Sequence, residues 1–232
     1  FVINCSVISG IKYCDENPEI AYFINGYLPY FLYLSCRKVK AKFIHFSSEC
    51  VFEGRVFKKK YSENSKSKPR TILGKSKRQS EILLAKANST IVIRLPMLFG
   101  PRQKKHLIYK MLKNLKKNKK IFASTDILST PVYVPSLVKF IGEKFIENEK
   151  FFKLKRKNNL INFSSNEYIS IFNFIKLFAK ELKKEKYIFP VKDRYFDKNS
   201  EKPKYLGLKS LKKYSTYEKL HTCVKNYIQT IY

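Results

Sequence analysis

Arginine and acidic residues are both scarce in this sequence. Its 232 residues include 18 Asp and Glu against 48 Lys and Arg, which gives a formal net charge of +30. Such charge usually indicates a nucleic-acid or anionic membrane partner. However, 40 of the 48 cations are lysine, whereas nucleic-acid readers rely on arginine for bidentate contacts. The lysines are scattered among Ile, Asn, Phe and Tyr, residues with A/T-rich codons, so a biased genome explains the charge and nucleic-acid binding is disfavoured.

Cysteine pairs, long apolar runs and a leader peptide are missing as well. Five cysteines form no CxxC pair and leave an odd count, which argues against a disulfide framework or a metal site and favours a reducing cytoplasm. No apolar run approaches the roughly 18 to 20 residues that span a bilayer, and no signal peptide is visible. Because Phe1 already reads as part of a buried strand, we expect the chain to be a fragment that begins within a domain.

Apolar strands alternate with amphipathic helices in the first part of the chain. The pattern predicts strands at residues 1–5, 42–47 and 89–94, helices at 18–39 and 71–87, and a loop at 6–17. Helices between apolar strands are what right-handed βαβ crossovers require, so we expect a doubly wound parallel sheet. Asn25 lies on the apolar side of the first helix, either as a hydrogen-bonded core amide or as a functional one.

The pattern changes after Pro101. Predicted helices cover residues 104–117, 135–148, 170–184 and 216–231, with short strands at 121–123, 131–134 and 160–164. This part reads as a smaller α+β lobe that covers the strand ends. We therefore expect two domains, residues 1–101 and 102–232.

Polar residues follow the predicted strands at the edge where open α/β sheets bind ligands. Ser47, Ser48 and Glu49 end the second strand, and Lys77 lies one helix away. Glu49 would contact substrate hydroxyls or a cofactor ring, or else cap the following loop. Arg94 ends the third strand, either to bind a phosphate or carboxylate or to form a structural ion pair.

Five motifs stand in order along the chain: VINC at 2–5, IHFSSECVFEG at 44–54, YSE at 61–63, GKSK at 74–77 and IRLPMLFG at 93–100. Their order and spacing resemble the dTDP-4-dehydrorhamnose reductase family, extended short-chain dehydrogenase/reductases that act on sugar nucleotides. LSTPVYV at 128–134 looks like the segment that lines the family's sugar site. The resemblance covers nearly the whole chain and implies a Rossmann-like fold, truncated at its amino-terminal part, with an α+β substrate-binding lobe.

The resemblance also implies a reaction. In the family, a hydride passes from NADPH or NADH to a 4-keto nucleotide-sugar for polysaccharide synthesis, while a tyrosine protonates the carbonyl oxygen. A lysine lowers the tyrosine pKa and holds the nicotinamide ribose, because a phenol with a pKa of about 10 is a poor proton donor without a cation nearby. A Ser or Thr hydroxyl polarises the carbonyl. By position, Ser48 matches the hydroxyl and Lys77 the lysine.

Further contacts are implied by position. The cofactor would meet Asn4, Cys5, Ser6, Ser47 and Lys77. The nucleotide-sugar would meet Asn25, Glu49, Cys50, Arg94 and Pro131. The cytoplasmic location expected from the cysteines agrees with this interpretation, and a homodimer is left open.

The sequence departs from the family in two places that matter for chemistry. The tyrosine position falls on Leu73, which cannot give or take a proton. Only seven glycines occur, and none form the GxxGxxG loop that holds a dinucleotide pyrophosphate. In addition, Cys50 replaces an aromatic residue that stacks on substrate. Tyr61 is a loop tyrosine in the family too, so we interpret it as structural.

Three hypotheses remain for function. The first is a sugar-nucleotide reductase with an altered proton donor. The second is a catalytically impaired member that binds a nucleotide-sugar as a regulatory subunit. These two hypotheses leave open whether the chain is an enzyme. The third, a basic nucleic-acid-binding module, requires a concentrated cationic face, and the lysines are diffuse instead.

Overall fold

Strands and helices alternate through the computed structural model, which describes residues 1–57, 59–101, 107–148, 152, 159–197, 202–216 and 218–231. In chain order the strands are β1 Val2–Asn4, β2 Phe43–Ser48, β3 Lys60–Tyr61, β4 Thr90–Leu95, β5 Leu98–Phe99, β6 Ile121–Ser124, β7 Leu128–Ser129, β8 Val132–Tyr133, β9 Leu160–Asn162, β10 Ile169–Ser170, β11 Ile188–Val191 and β12 Tyr205–Leu208. The helices are α1 Ile11–Glu16, α2 Pro18–Ala21, α3 Leu28–Lys38, α4 Ile72–Leu84, α5 Leu107–Lys116, α6 Val134–Ile141, α7 Ile171–Glu181 and α8 Leu220–Ile231.

The main sheet is parallel and has the order β1-β2-β4-β9 within the described residues. Its strands bury both faces. Phe43 and Val92 pack with α3 and α4 on one face, while Ile44 and Ile93 pack with α6 on the other. The prediction of a doubly wound, Rossmann-like parallel sheet is confirmed.

Local chemistry accounts for the start of helix α4. The Thr71 side chain accepts a hydrogen bond from the Gly74 amide at 3.2 Å, which satisfies one of the free N–H groups of the first turn. Pro18 occupies the first turn of α2, where its missing N–H costs nothing.

The predicted helix at residues 18–39 is interrupted by a π-helical turn at Tyr22–Tyr27, between α2 and α3. The predicted loop at residues 6–17 is wrong in part, because α1 forms within it. This helix is only six residues long and buries Cys14, so its order comes from tertiary contact rather than from a periodic pattern that sequence alone could show.

The smaller lobe has its own apolar core, built mainly from α5, α7 and α8. Its strands form a mixed sheet, β10-β7-β12-β3, and a parallel pair, β11-β6. The predicted helix at residues 104–117 is observed as α5, while residues 102–106 lie outside the described residues. Strand β3 comes from the first part of the chain, so it ties the lobe to the main sheet.

The boundary at residue 101, between domains 1–101 and 102–232, remains a prediction. Strand β9 and helix α6 follow that boundary in sequence, yet they complete the main sheet and cover one of its faces. Among the helices of the described residues, none has both the length and the hydropathy that crossing a bilayer requires.

Two helical glycines provide a test of the packing. A Cβ at Gly74 would overlap the carbonyl oxygen of Cys50, whereas a Cβ at Gly142 would find its nearest atom 3.9 Å away. We expect Gly74→Ala to lower the free energy of unfolding by about 1 to 3 kcal/mol through overpacking. The matched Gly142→Ala should be neutral or slightly stabilising. Urea unfolding measures both, and equal effects would contradict the close contact between α4 and Cys50.

Candidate active site

A cavity of about 730 Å³ lies beyond the carboxyl ends of β1, β2 and β4. One wall is apolar and comes from α6 and the turn after it. The residues of that wall are Val134, Leu137, Val138, Ile141 and Ile146. The opposite side carries the polar groups. Open α/β sheets bind ligands at this edge.

Six predicted site residues line this cavity together. They are Asn4, Cys5, Ser6, Ser47, Ser48 and Lys77. Leu73, at the position of the family's tyrosine, lines it as well. Asn25, Glu49, Cys50, Arg94 and Pro131 are absent from its lining in the described part of the chain. Their direct contact with a ligand stays a prediction.

Arg94 makes a buried ion pair with Glu81. Its Nε lies 2.7 Å from Glu81 Oε1 and its Nη2 lies 2.8 Å from Oε2, and both side chains are almost fully buried. Arg78 adds a bond to Oε2 at 2.8 Å. Burial by itself would raise the pKa of Glu81, but the arginines and Ser47 outweigh it and hold that pKa below its ordinary value. Of the two readings of Arg94, the geometry favours the structural ion pair.

Ser47 is oriented by the same carboxylate. Its Oγ donates to Glu81 Oε1 at 2.6 Å, so Ser47 presents its oxygen lone pairs to the cavity. The Ser48 Oγ acts as an acceptor, from the Cys50 amide at 3.2 Å. Within the described residues its own proton has no acceptor, so it remains available to donate. To polarise a carbonyl, a hydroxyl must be able to donate a hydrogen bond to the carbonyl oxygen.

His45 is a structural histidine. Ser80 donates to the Lys77 carbonyl at 2.8 Å, so its oxygen accepts from His45 Nε2 at 3.1 Å. His45 Nδ1 then accepts from Asn4 Nδ2 at 3.2 Å, and Asn4 Oδ1 holds the Ser6 amide at 2.9 Å. Burial, and after it the charge of Lys77, keeps the pKa of His45 well below its usual range. A neutral imidazole therefore fixes the loop after β1.

Lys77 is a buried cation at the cavity. Only 4% of the residue is exposed, and its Nζ donates to the Phe46 carbonyl at 2.9 Å. No ion pair joins it to a carboxylate among the described residues. Burial lowers the pKa of Lys77 to about 8, opposed by Cys14 and Glu81.

Asn25 holds the rim of the cavity. Its side-chain amide bonds both the N–H and the carbonyl of Ile8 at 3.0 Å, and its Nδ2 also reaches Ser76 Oγ at 3.3 Å. Ser76 in turn donates to the Leu73 carbonyl at 3.0 Å. Every polar group of Asn25 is thus used within the protein, which favours a core amide.

Glu49 lies between the main sheet and the smaller lobe. Ser129 Oγ lies 2.9 to 3.0 Å from both of its carboxylate oxygens. Burial raises the pKa of Glu49 well above its usual range, against the hydrogen bonds from Ser129 and Met97. Burial likewise raises the pKa of Cys50 to about 12, so this thiol stays protonated at neutral pH.

Sequence reasoning missed Glu81, the carboxylate that positions both Ser47 and Arg94. One signal was present: Glu81 lies four residues after Lys77 and therefore on the same buried helix face. A carboxylate on a buried face needs a cation. No group of three His, Cys, Asp or Glu side chains suited to a metal ion occurs in the part of the chain that the structure describes.

The parallel sheet and the cavity at its carboxyl edge, which Ser48 and Lys77 both line, define a protein of the Rossmann-like α/β class. Within that class, the chain belongs to the RmlD substrate-binding domain family, whose family model matches residues 1–231.

Curated relatives match part of the chain. The spore coat polysaccharide biosynthesis protein SpsK of Bacillus subtilis is 30% identical over 146 residues, which are 62% of this chain and 50% of SpsK. The probable low-salt glycan biosynthesis reductase Agl14 of Haloferax volcanii is 33% identical over 104 residues, 44% of this chain and 34% of Agl14. The matches thus span half or less of these relatives.

Solved structures share the fold over nearly the whole chain. A dTDP-4-dehydrorhamnose reductase from Clostridium acetobutylicum is 22% identical with a TM-score of 0.87, covering 99% of this chain and 80% of that one. The Bacillus anthracis dTDP-4-dehydrorhamnose reductase, solved in complex with NADP, is 20% identical with a TM-score of 0.85, covering 98% and 79%. At these identities the likeness shows the fold.

Glu81→Gln tests the buried ion pair. Removing the charge leaves Arg94 buried without its counter-ion, so we expect a loss of about 3 to 5 kcal/mol in the free energy of unfolding. Glu143→Gln is the control, since it removes an exposed pair with Lys139 and should cost less than about 1 kcal/mol. Guanidinium unfolding measures both. A cost for Glu81→Gln as small as that for Glu143→Gln would contradict the central role of Glu81.

Proposed function

We propose that the chain is the main part of a sugar-nucleotide reductase, which uses NADPH or NADH to reduce a 4-keto nucleotide-sugar for polysaccharide synthesis. The observation that carries this proposal is the meeting of Ser48 and Lys77 in one cavity at the sheet's carboxyl edge, in a chain of the RmlD substrate-binding family. The names of SpsK and Agl14 point to polysaccharide and glycan synthesis.

The cavity fits the nicotinamide half of a dinucleotide. Its apolar wall suits a planar ring, and Asn4, Ser47 and Lys77 offer hydrogen bonds to an amide and a ribose. When bound, the reduced nicotinamide supplies a hydride. The sequence contains no GxxGxxG loop for the pyrophosphate, so we assign only the nicotinamide and ribose contacts to this chain.

Ser48 and the apolar wall supply the other parts of the site. The free Ser48 proton would hydrogen-bond the ketone oxygen, and the wall from α6 would exclude water from the reacting carbon. Glu49, Cys50 and Pro131 remain proposed contacts to the sugar from the lobe side. Arg94 would act by positioning Ser47 through Glu81. Asn25 would act by positioning the rim loop, the segment that contains Ile8.

A catalytically impaired member is the second candidate function. Leu73 favours it, because the position of the family's proton donor faces the cavity but carries no ionisable group. Such a protein would bind a nucleotide-sugar as a regulatory subunit and keep Lys77 for binding alone.

Leu73→Tyr separates the two functions. In the protein at its natural full length, with NADPH or NADH and dTDP-4-dehydrorhamnose, the reductase proposal expects the wild type to turn over by itself and Leu73→Tyr to be about tenfold faster, because the variant adds a phenol as a second acid. Loss of absorbance by the reduced cofactor measures the rate.

Leu73→Phe is the matched control, since it adds the ring without the hydroxyl and should gain nothing. If neither the wild type nor Leu73→Tyr turns over while both bind the nucleotide, the reductase proposal is wrong and the binding subunit is correct.

We also propose a homodimer, built on an apolar stripe along the outer face of the first long helical segment. The stripe consists of Ile20, Phe23, Tyr27 and Phe31, which are 43 to 52% exposed and recur at helical spacing. Glu16 and Glu19 lie at one end of this segment, and Arg37 and Lys38 lie at the other. An antiparallel second copy would therefore cover the stripe and set acidic ends against basic ends.

Phe23→Lys tests the apolar stripe. In a two-fold interface it removes two buried rings worth at least about 3 kcal/mol together, so the dimer Kd should rise at least about a hundredfold. Val39→Lys, at an exposed position beyond the stripe, is the control and should leave the Kd unchanged. Light scattering over a concentration series gives the molecular mass in solution. A wild type that remains monomeric at high concentration would contradict the dimer.

A further inference from the structure

Lys77 and Leu73 lie one helical turn apart on α4, and both line the same cavity. Leucine is smaller than tyrosine and ends in methyl groups, so it fills less of the cavity that it shares with Lys77 than a phenol ring would. The Lys77 ammonium has three N–H donors. One is used by the Phe46 carbonyl at 2.9 Å. The other two meet no acceptor in the part of the chain that the structure describes, which leaves them for a ligand.

The charged and titratable groups around Lys77 do not neutralise it. Glu81, on the same helix, is bound by Arg94 and Arg78. Cys14, from α1, has its pKa raised by burial and is therefore a neutral thiol. His45, from β2, is uncharged because burial lowers the pKa of its imidazole. The exposed Cys5 thiol completes the ionisable lining of the cavity in the described residues. Lys77 is thus a buried ammonium whose proton is available to a ligand.

We propose that Lys77 is itself the proton donor of this site, protonating the ketone oxygen of the substrate in place of the tyrosine that Leu73 replaces. The inference rests on the proposed reductase function. The ketone carbon gains the hydride, and the C=O π electrons move to the oxygen. An O–H bond forms there as one N–H bond of Lys77 breaks. The lysine is left as a neutral amine and regains its proton from water.

The acidity of Lys77 suits this role. Burial brings its pKa to about 8, close to the pH at which a general acid works best. A lysine with an unperturbed pKa of about 10.4 would be a much weaker donor at neutral pH. Because the protonated form acts, the rate should be constant below about pH 8 and fall tenfold per pH unit above it.

The test compares the wild type with Lys77→Arg, and with Lys75→Arg as the matched control on the exposed side of the same helix. Single-turnover reduction of dTDP-4-dehydrorhamnose is followed from pH 6 to 10. Lys77→Arg keeps the positive charge but not a transferable proton, so we expect a loss of at least 10²-fold. Lys75→Arg should match the wild type in rate and pH profile.

A second measurement does not depend on turnover. Acetic anhydride labels neutral amines, and mass spectrometry of the peptide that contains Lys77 gives the pH at which this amine loses its proton. We expect a midpoint near pH 8. A midpoint above pH 10 overturns the inference.

The kinetic outcomes separate this inference from the proposed function. Turnover that is unchanged in Lys77→Arg, or that is independent of pH up to 10, overturns the role of Lys77 and leaves the reductase in place. Turnover by Leu73→Tyr alone, with an inert wild type at every pH, overturns the role of Lys77 and supports the catalytically impaired member instead of the reductase. No turnover by either protein overturns both.

Discussion

The buried ion pair between Arg94 and Glu81 is the interaction on which the candidate site depends. It joins the end of β4 to the middle of α4, and the same carboxylate holds Ser47 at the end of β2. Removal of Glu81 would leave Arg94 buried and uncompensated, whereas removal of Arg94 would leave Glu81 with the bonds from Arg78 and Ser47. Because Lys77 lies one turn before Glu81 on the same helix, this pair also fixes the distance between the buried amine and the strand ends.

Much of the fold could be predicted from local patterns. The short apolar runs at residues 42–47 and 89–94, set between longer helical patterns, favour buried strands. Thr71 marks a helix start through its side chain. The meeting of Ser48 with Lys77 follows from that topology, since both lie at the carboxyl edge of a parallel sheet. The doubly wound parallel sheet needed no information beyond this alternation and the order of the motifs.

The rest depends on contacts between distant residues. Asn4 meets His45 across 41 positions, and Glu81 meets Arg94 across 13. A single sequence shows that these groups are polar, but it does not show which partner each will find. The short helix α1 was missed for a related reason, because six residues carry too little periodicity to be recognised and its burial comes from α4.

The hydrogen bonds between Asn25 and Ile8 have a consequence for how such a site evolves. The Cys14 thiol donates to the Ile8 carbonyl at 3.6 Å, but the loop that contains Ile8 is attached to the helical layer mainly through the Asn25 amide, which bonds both backbone groups of Ile8. A change of that one side chain would loosen the mouth of the cavity without altering its floor. Natural variation could therefore adjust how fast ligands enter and leave while the reacting groups keep their places, so that exchange kinetics and chemistry diverge independently among relatives.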